Sequence, residues 1–211
     1  MFRTRIKICG ITRVEDAKSA VDLGADAIGL VFHPPSPRYV SIEQALAICR
    51  AVPPFVSVVG LFVNAERASI ERVLAQVPLQ VLQFHGDESV AACEHHGLPY
   101  IKAARVRPGL DLLEYALSFP SAQGLLLDAY VEEFGGGGKT FDWSAIPAKL
   151  PLPVILAGGL HADNVAQAIR AVRPWAVDVS SGVEASKGVK DAEKIAQFIS
   201  GVKDGDLRAA I

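Results

Sequence analysis

Apolar residues fall into eight short runs along the chain, and stretches with helical periodicity separate them. The runs begin 19 to 29 residues apart. They are rich in Val, Ile and Leu without strict polar alternation, which is typical of parallel strands that are covered on both faces by helices. The runs are RIKIC from Arg5, AIGLVF from Ala27, VSVVGLFV from Val56, VLQF from Val81, YIKAARV from Tyr100, GLLLDA from Gly124, PVILAG from Pro153 and AVDVSS from Ala176.

Alternation of strand and helix, repeated eight times, predicts the fold class. We expect an α/β protein with a single (β/α)8 TIM barrel and minimal decoration, because such barrels need about 200 residues and the chain has 211. The barrel is predicted to span 1–203, with a C-terminal tail at 204–211. An open doubly wound sheet is the alternative. It would normally carry a G-x-G-x-x-G fingerprint in the first turn after a strand, where this chain has only Gly10.

Charge and cysteine content narrow the class of partner. The 21 basic and 23 acidic residues are intermixed and give a formal charge of −2, so neither nucleic acid nor a membrane surface is expected as a partner. Three cysteines without a Cys-x-x-Cys pair argue against a disulfide framework and a zinc site. The chain has no signal-peptide h-region and no run of 18 apolar residues. We therefore expect a cytoplasmic enzyme acting on a small molecule, with no metal.

Two candidate reactive groups end strands at the mouth of the predicted barrel, where active sites of this fold lie. Alternation in the first run puts Lys7 and Cys9 on one face and the aliphatic Ile6 and Ile8 on the other, so Cys9 is expected to face the mouth. The alternative is a packed core thiol. Asp128 ends the sixth run, where burial of an unpaired carboxylate would be costly. Its alternative role is to pair with a loop backbone or an arginine.

Glycine and serine follow the seventh and eighth strands and predict a phosphate site. The seventh run is followed by Gly158 and Gly159, and the eighth by Ser180, Ser181 and Gly182. Barrels often bind phosphate between these two loops, because glycines let backbone N–H groups approach the anion and serines add hydroxyl donors. The alternative for the Gly-Gly pair is a simple turn.

Three other loops hold candidate groups. Arg38, in HPPSPRYV, suits bidentate capture of a carboxylate, or else is a solvated arginine. The glycines of GGGGKTFDW, which precede Lys139, predict either a mobile loop able to close over substrate or a linker without function. His85 follows the fourth strand and is expected either to hold that loop or to react.

Seven motifs in order resemble the phosphoribosylanthranilate isomerases of the tryptophan pathway. They are KICGIT, SPRYV, QFHG, LLLDA, GGGGKTFDW, LAGGL and DVSSGVE. The resemblance implies that Cys9 is the general base and Asp128 the general acid, that Arg38 holds the anthranilate carboxylate, and that the loops of Gly159 and Ser181 bind phosphate. The other positions it implies for substrate binding are Gln83, His85, Gly158, Asp178, Ser180 and Gly182.

The implied reaction is an Amadori rearrangement of N-(5-phosphoribosyl)anthranilate to 1-(2-carboxyphenylamino)-1-deoxyribulose 5-phosphate. One acid and one base suffice for it, so no cofactor is expected, and the chain is expected to be a monomer or homodimer. One competing hypothesis is another phosphosugar isomerase or epimerase on the same barrel. The histidine-pathway isomerase is expected to have aspartate in place of Cys9. A non-catalytic phosphate-ligand sensor is the other, but it would not need both Cys9 and Asp128.

Overall fold

Eight parallel strands form a closed barrel in the computed structural model, which describes residues 3–129 and 141–208. Each strand pairs with the next along the chain, and β8 pairs with β1 to close the ring. The strands are β1 Arg5–Cys9, β2 Ala27–Val31, β3 Ser57–Phe62, β4 Val81–Phe84, β5 Tyr100–Val106, β6 Gly124–Ala129, β7 Val154–Leu156 and β8 Ala176–Val179. Each lies in one of the eight predicted runs, so the predicted TIM barrel is confirmed.

Within the described residues, α-helices follow seven of the eight strands. They are α1 Val14–Leu23, α2 Ile42–Ala51, α3 Arg67–Leu74, α4 Val90–Glu94, α5 Leu112–Leu117, α6 Ala162–Val172 and α7 Ala192–Arg208. Local chemistry sets their ends. Ser41 caps α2 through a reciprocal pair of hydrogen bonds with Gln44. Gly24 ends α1 in the left-handed conformation, with φ of 107°.

The described part of the connection from β6 to β7 contains no α-helix. Within its described part, 141–153, it contains only a 3₁₀ turn at Trp143–Ala145. Pro147, Pro151 and Pro153 fall in this segment. Since proline lacks the backbone N–H that a helix needs and crowds the preceding turn, a regular helix does not form through them.

Side-chain alternation divides each strand between two environments. Ile6 and Ile8 of β1 pack into the large apolar cluster between barrel and helices, whereas Cys9 packs with Val31 and Leu61 inside the barrel. The prediction that Cys9 turns inward is therefore confirmed. Below the mouth, Leu126 and Ile155 belong to a small apolar cluster inside the barrel.

The C-terminal residues correct the predicted tail. Helix α7 continues through residue 204 and ends only at Arg208, so 204–208 belong to the barrel's outer layer. Asp206 accepts hydrogen bonds from the backbone N–H and the hydroxyl of Thr4. This contact joins the last helix to the start of β1, a pairing of distant residues that local periodicity does not reveal. No helix within the described ranges is long and apolar enough to cross a membrane.

A two-stranded hairpin extends the chain after β8. A 3₁₀ turn at Ser181–Val183 leads into β9 Glu184–Ser186, which pairs antiparallel with β10 Val189–Lys190. The hairpin returns the chain to the barrel mouth before α7 begins. Glu184 and Lys190 on it are both buried, so it contributes charged groups to the interior.

Candidate active site

Cys9 lies at the carboxyl end of β1, above a buried ion pair. The ammonium of Lys7 donates to Oδ1 of Asp178 at 2.9 Å, and both side chains are buried. Lys7 and Asp178 are directly paired in the register of β1 and β8. Gly29 of the neighbouring strand leaves room beside them, because a Cβ there would lie 2.7 Å from Sγ of Cys9 and 3.1 Å from Nζ of Lys7. The thiol and the ammonium therefore both lie beside Gly29, inside the barrel.

Opposing effects act on the protonation of the thiol. Burial raises the pKa of Cys9, and the positive charge of Lys7 works against that rise. Burial also opposes the charge on Lys7, but the attraction of Asp178 and Cys9 outweighs it and raises the pKa of the ammonium. Lys7 is thus held charged next to a thiol whose ionisation needs a nearby cation.

Asp128 is the second candidate reactive group, at the carboxyl end of β6. Its Oδ2 lies 3.1 Å from Nε2 of His85, and Nδ1 of that imidazole lies 2.9 Å from Nε2 of Gln83. His85 and Asp128 are both partly exposed, with 17% and 26% of their side chains accessible, whereas Gln83 is fully buried. The three side chains form a chain of hydrogen bonds from the barrel interior to the mouth.

The orientation of the Gln83 amide decides which nitrogen of His85 carries the proton. With the Gln83 amide N–H donating to Nδ1, the imidazole carries its proton on Nε2 and donates it to Asp128. In this arrangement, Oε1 of Gln83 has no hydrogen-bond partner within the described residues. A neutral His85 in this tautomer supports the carboxylate form of Asp128.

The two predicted phosphate-binding loops, after β7 and β8, lie against each other, and the loop after β7 also lies beside Asp128. A Cβ on Gly182 would collide with the carbonyl oxygen of Leu160, so the loop after β8 packs directly on the loop after β7. Gly158 has φ of 78°, and a Cβ there would lie 3.0 Å from Oδ1 of Asp128. Gly159 is also left-handed, with φ of 64°. Glycine is favoured at Gly158 by both conformation and space, at Gly159 by conformation and at Gly182 by space.

The structure excludes one of the two sequence interpretations of Arg38. It is only 7% exposed, so it is not a solvated arginine. Its Nε and Nη2 donate to the two carboxylate oxygens of Glu184 at 2.7 and 2.8 Å. One edge of the guanidinium is therefore occupied by the protein, and a substrate carboxylate is left with the N–H groups that point away from Glu184. The contact with Glu184 raises the pKa of Arg38.

Lys190 completes this second charge cluster. Its ammonium donates to Oε1 of Glu184 at 2.9 Å and to the backbone oxygen of Ser180 at 3.1 Å. Burial opposes the charge on Glu184, but Arg38 and Lys190 outweigh it and lower the pKa of that carboxylate. A Cβ on Gly10 would lie 3.0 Å from Oγ of Ser180. The cluster thus fixes the loop after β8 against the loop after β1.

Comparison with known proteins identifies the family. The family model described as N-(5'phosphoribosyl)anthranilate (PRA) isomerase matches residues 6–201. The chain belongs to this family. An N-(5'-phosphoribosyl)anthranilate isomerase from Dechloromonas aromatica is 60% identical, over 97% of this chain and 99% of the relative.

Solved structures of the family superpose closely on the barrel. The phosphoribosyl anthranilate isomerase from Thermotoga maritima has a TM-score of 0.86 and 47% identity, covering 95% of this chain and 98% of its own. A second structure, of an isomerase in complex with reduced 1-(o-carboxyphenylamino)-1-deoxyribulose 5-phosphate, has a TM-score of 0.81 and 42% identity over the same shares. Membership of this family excludes a histidine-pathway isomerase or a sensor as the better description of the chain.

Apart from Arg38, the predicted site residues separate into three groups within this family barrel. Cys9 and Asp178 share the space beside Lys7, and Gln83, His85 and Asp128 form the hydrogen-bonded chain. Gly158, Gly159, Ser180, Ser181 and Gly182 form the adjoining loops after β7 and β8. The loop of Gly135–Gly138 and Lys139 lies outside the described residues.

Sequence reasoning missed the functional placement of Lys7, Glu184 and Lys190. The inward face of β1 was a usable signal for Lys7, since it shares that face with Cys9. Nothing local marks Glu184 and Lys190, because they reach the interior through a hairpin that follows the barrel. Within the described ranges, no three His, Cys, Asp or Glu side chains are grouped as metal ligands.

Proposed function

We propose that the chain converts N-(5'-phosphoribosyl)anthranilate to 1-(2-carboxyphenylamino)-1-deoxyribulose 5-phosphate in tryptophan biosynthesis. The observation that carries the proposal is the placement of Cys9 and Asp128 at the carboxyl ends of β1 and β6 in a barrel of this family. Strands β7 and β8 lie between them in the ring. A phosphosugar held by the loops after these two strands is positioned with a thiol on one side and a carboxyl on the other.

Ring opening requires an acid, and we assign this role to Asp128. Its carboxyl O–H gives a proton to the ring oxygen of the aminofuranose as the C1–O bond breaks. The nitrogen lone pair then forms a C1=N bond, giving a protonated Schiff base. The resulting Asp128 carboxylate is stabilised by the N–H of His85, at the 3.1 Å distance between Nε2 and Oδ2.

Proton removal at C2 requires a base, and we assign this role to the thiolate of Cys9. The sulfur takes the C2 proton, and the C–H electron pair forms the C1=C2 bond while the C1=N pair returns to nitrogen. Transfer of the enol proton to C1 then gives the 2-ketone, so the reaction is balanced without an external oxidant or reductant. The base must be ionised to act, which requires a cation near sulfur.

Substrate binding is assigned to groups around the two reacting residues. Phosphate binds the backbone N–H groups and hydroxyls of the loops that contain Gly158, Gly159 and 180–182. The anthranilate carboxylate binds the edge of Arg38 that faces away from Glu184. The known complex of a relative with a reduced deoxyribulose phosphate supports a ligand of this kind.

Turnover of freshly prepared N-(5'-phosphoribosyl)anthranilate tests the proposal, with product resolved by chromatography. Activity should persist with a chelator, since the acid and base are both supplied by side chains. Loss of activity in chelator and recovery with a divalent ion would overturn the metal-free mechanism. Absence of turnover by folded wild-type protein would overturn the function itself.

Location, nucleic-acid binding and oligomeric state are part of the same proposal. We propose a cytoplasmic enzyme that binds no nucleic acid and exists as a monomer or homodimer. Fractionation of cells tests the location, electrophoretic mobility shift with mixed DNA and RNA tests nucleic-acid binding, and sedimentation equilibrium gives the oligomeric state. A mass larger than a dimer or a shift at physiological salt would contradict this part of the proposal.

A further inference from the structure

Lys7 is a buried charge to which the proposed reaction assigns no task. Only 4% of the residue is exposed, and the removal of an ammonium from water is costly unless it is paired. Asp178 supplies a partner at 2.9 Å. A pair of apolar side chains would fill this space at no electrostatic cost, so the ion pair calls for an explanation beyond packing.

Lys7 lies on the same side of β1 as the Cys9 thiol and is shielded from solvent. Lys7 and Cys9 lie two residues apart on the inward face of β1. Both reach the space left by Gly29, at 3.1 Å and 2.7 Å from the point where its Cβ would be. Asp178 fixes the ammonium from β8 on the other side. Any residue larger than glycine at position 29 would force the two groups apart.

We propose that Lys7 is a positioning residue that stabilises the thiolate of Cys9 against the effect of burial, with Asp178 keeping the ammonium charged and in place. The proposal rests on the proposed function, in which Cys9 is the base. It deepens that function by naming the group that favours ionisation of a buried thiol. Lys7 is buried beside Gly29 with the thiol, so it acts through Cys9.

Four charged groups act on the thiol from the elements packed around it. Lys7 is on β1, Asp178 on β8, Lys190 on β10 and Arg38 in the loop after β2. Arg38 and Lys190 are both paired with Glu184, which offsets part of their charge. Among these charges, Lys7 has the strongest attraction for the sulfur, so its removal has the largest effect.

The sign of the expected change follows from this arrangement. A cation favours the thiolate, so loss of Lys7 raises the pKa of Cys9. Because the base acts only as thiolate, kcat/KM rises with pH as the thiol ionises, and this rise must move to higher pH in the variant. Since the nearby opposite charge is what favours the ionised sulfur, we expect the thiolate fraction at a given pH to fall by about tenfold in the variant.

Absorbance at 240 nm, which reports thiolate, provides the direct test. The background is Cys49→Ser, and burial raises the pKa of Cys93 to about 12, so neither of the other two thiols contributes to the signal below pH 10. Subtraction of the same titration for Cys9→Ser removes the tyrosine signal. We compare Lys7→Met and the double variant Lys7→Met/Asp178→Asn, which leaves no unpaired buried carboxylate and protects against failure to fold. Both should titrate at higher pH than the parent.

A second buried ion pair offers the matched control. Lys102 donates to Glu88 at 3.0 Å, and Lys102 is fully buried. Lys102→Met/Glu88→Gln therefore removes the same two charges elsewhere in the barrel, and is expected to lower Tm without moving the Cys9 titration. An unchanged Cys9 titration in both Lys7 variants would overturn the proposal, as would the same shift in the control pair.

Turnover distinguishes this proposal from the proposed function. If the thiol titration shifts and the pH profile of kcat/KM shifts with it, both are supported. If the titration shifts while the pH profile stays fixed, the role of Lys7 in catalysis is overturned because Cys9 is not the base. If wild-type protein turns over no substrate, the proposed function fails, while the titration still shows whether Lys7 stabilises the thiolate.

Discussion

Nε2 of His85 lies 3.1 Å from Oδ2 of Asp128, across the mouth of the barrel from β4 to β6. Because Gln83 donates to Nδ1 of the same ring from a fully buried position, His85 presents an N–H to Asp128. The acid of the proposed reaction is therefore supported most strongly after it has given up its proton. His85 is a positioning residue for this carboxylate.

We predict that His85→Asn lowers kcat by roughly 3- to 10-fold with little change in KM, because a net hydrogen bond of about 1 kcal/mol to Asp128 is lost. Steady-state kinetics measure kcat and KM of the variant. His95→Asn, on an exposed histidine, is the control, and an equal loss of kcat in it would refute a specific role for His85.

Substitution of either proposed reacting residue should impair catalysis without impairing binding. Cys9→Ser and Asp128→Asn nearly keep side-chain volume but lose the base and the acid, so kcat should fall by about 10²–10⁴ in each. Affinity for a product analogue should be unchanged, because the phosphate loops and Arg38 are intact. Calorimetry and turnover on the same preparations measure this. A fall in Tm with kcat preserved in Cys9→Ser would show a packed thiol instead.

Removal of Arg38 is expected to reduce both substrate binding and stability. Arg38→Met breaks a buried bidentate pair with Glu184, at a cost of up to about 3–5 kcal/mol, with Lys190 still beside the carboxylate. KM should rise about tenfold or more, since a charge-assisted contact is worth roughly 1.5–3 kcal/mol. Urea denaturation and KM measure the two effects.

The surface pair of Arg67 and Glu71 is the matched control for Arg38. It is well exposed, with 67% and 52% of the two side chains accessible, so Arg67→Met should change stability by less than about 1 kcal/mol and leave KM unchanged. An Arg38→Met enzyme with wild-type KM would show that Arg38 only fixes the hairpin of β9 and β10.

Substitution of Gly158 should disturb the acid as well as the backbone. Gly158→Ala places a methyl group against the backbone N–H of Ala129 and 3.0 Å from Oδ1 of Asp128. We predict a loss of about 1–3 kcal/mol in stability, as for strain at a left-handed position, and at least about tenfold in kcat as Asp128 is displaced. Gly97→Ala is the control, with φ of 70° and no atom within 4 Å of the added Cβ. It should lose stability only. Equal kcat in the two variants would contradict this prediction.

Hydrophobic patterning alone determined the order of strands and the class of fold. The predicted strand RIKIC coincides with β1 Arg5–Cys9, and alternation within it correctly turned Cys9 inward. These features are local, since side-chain direction alternates with period 2 along any strand. The same patterning placed Asp128 and the two glycine-containing loops at the carboxyl ends of their strands, once a barrel was assumed.

Closure of the barrel decided which charged residues from distant parts of the chain pair with each other, which the sequence pattern does not show. It brings Lys7 against Asp178, 171 residues apart, and Arg38 against Glu184, 146 residues apart. Likewise, the Thr4 hydroxyl donates to Asp206. The start of the predicted tail is therefore packed against the barrel as the last part of α7. Periodicity reports which face of an element is buried, but the charge that faces a buried group comes from another element. The partners of Cys9 and Arg38 are therefore fixed only when β8 pairs with β1 and the hairpin folds over the mouth. The partner of Asp128 is fixed when the carboxyl ends of β4 and β6 meet in the barrel.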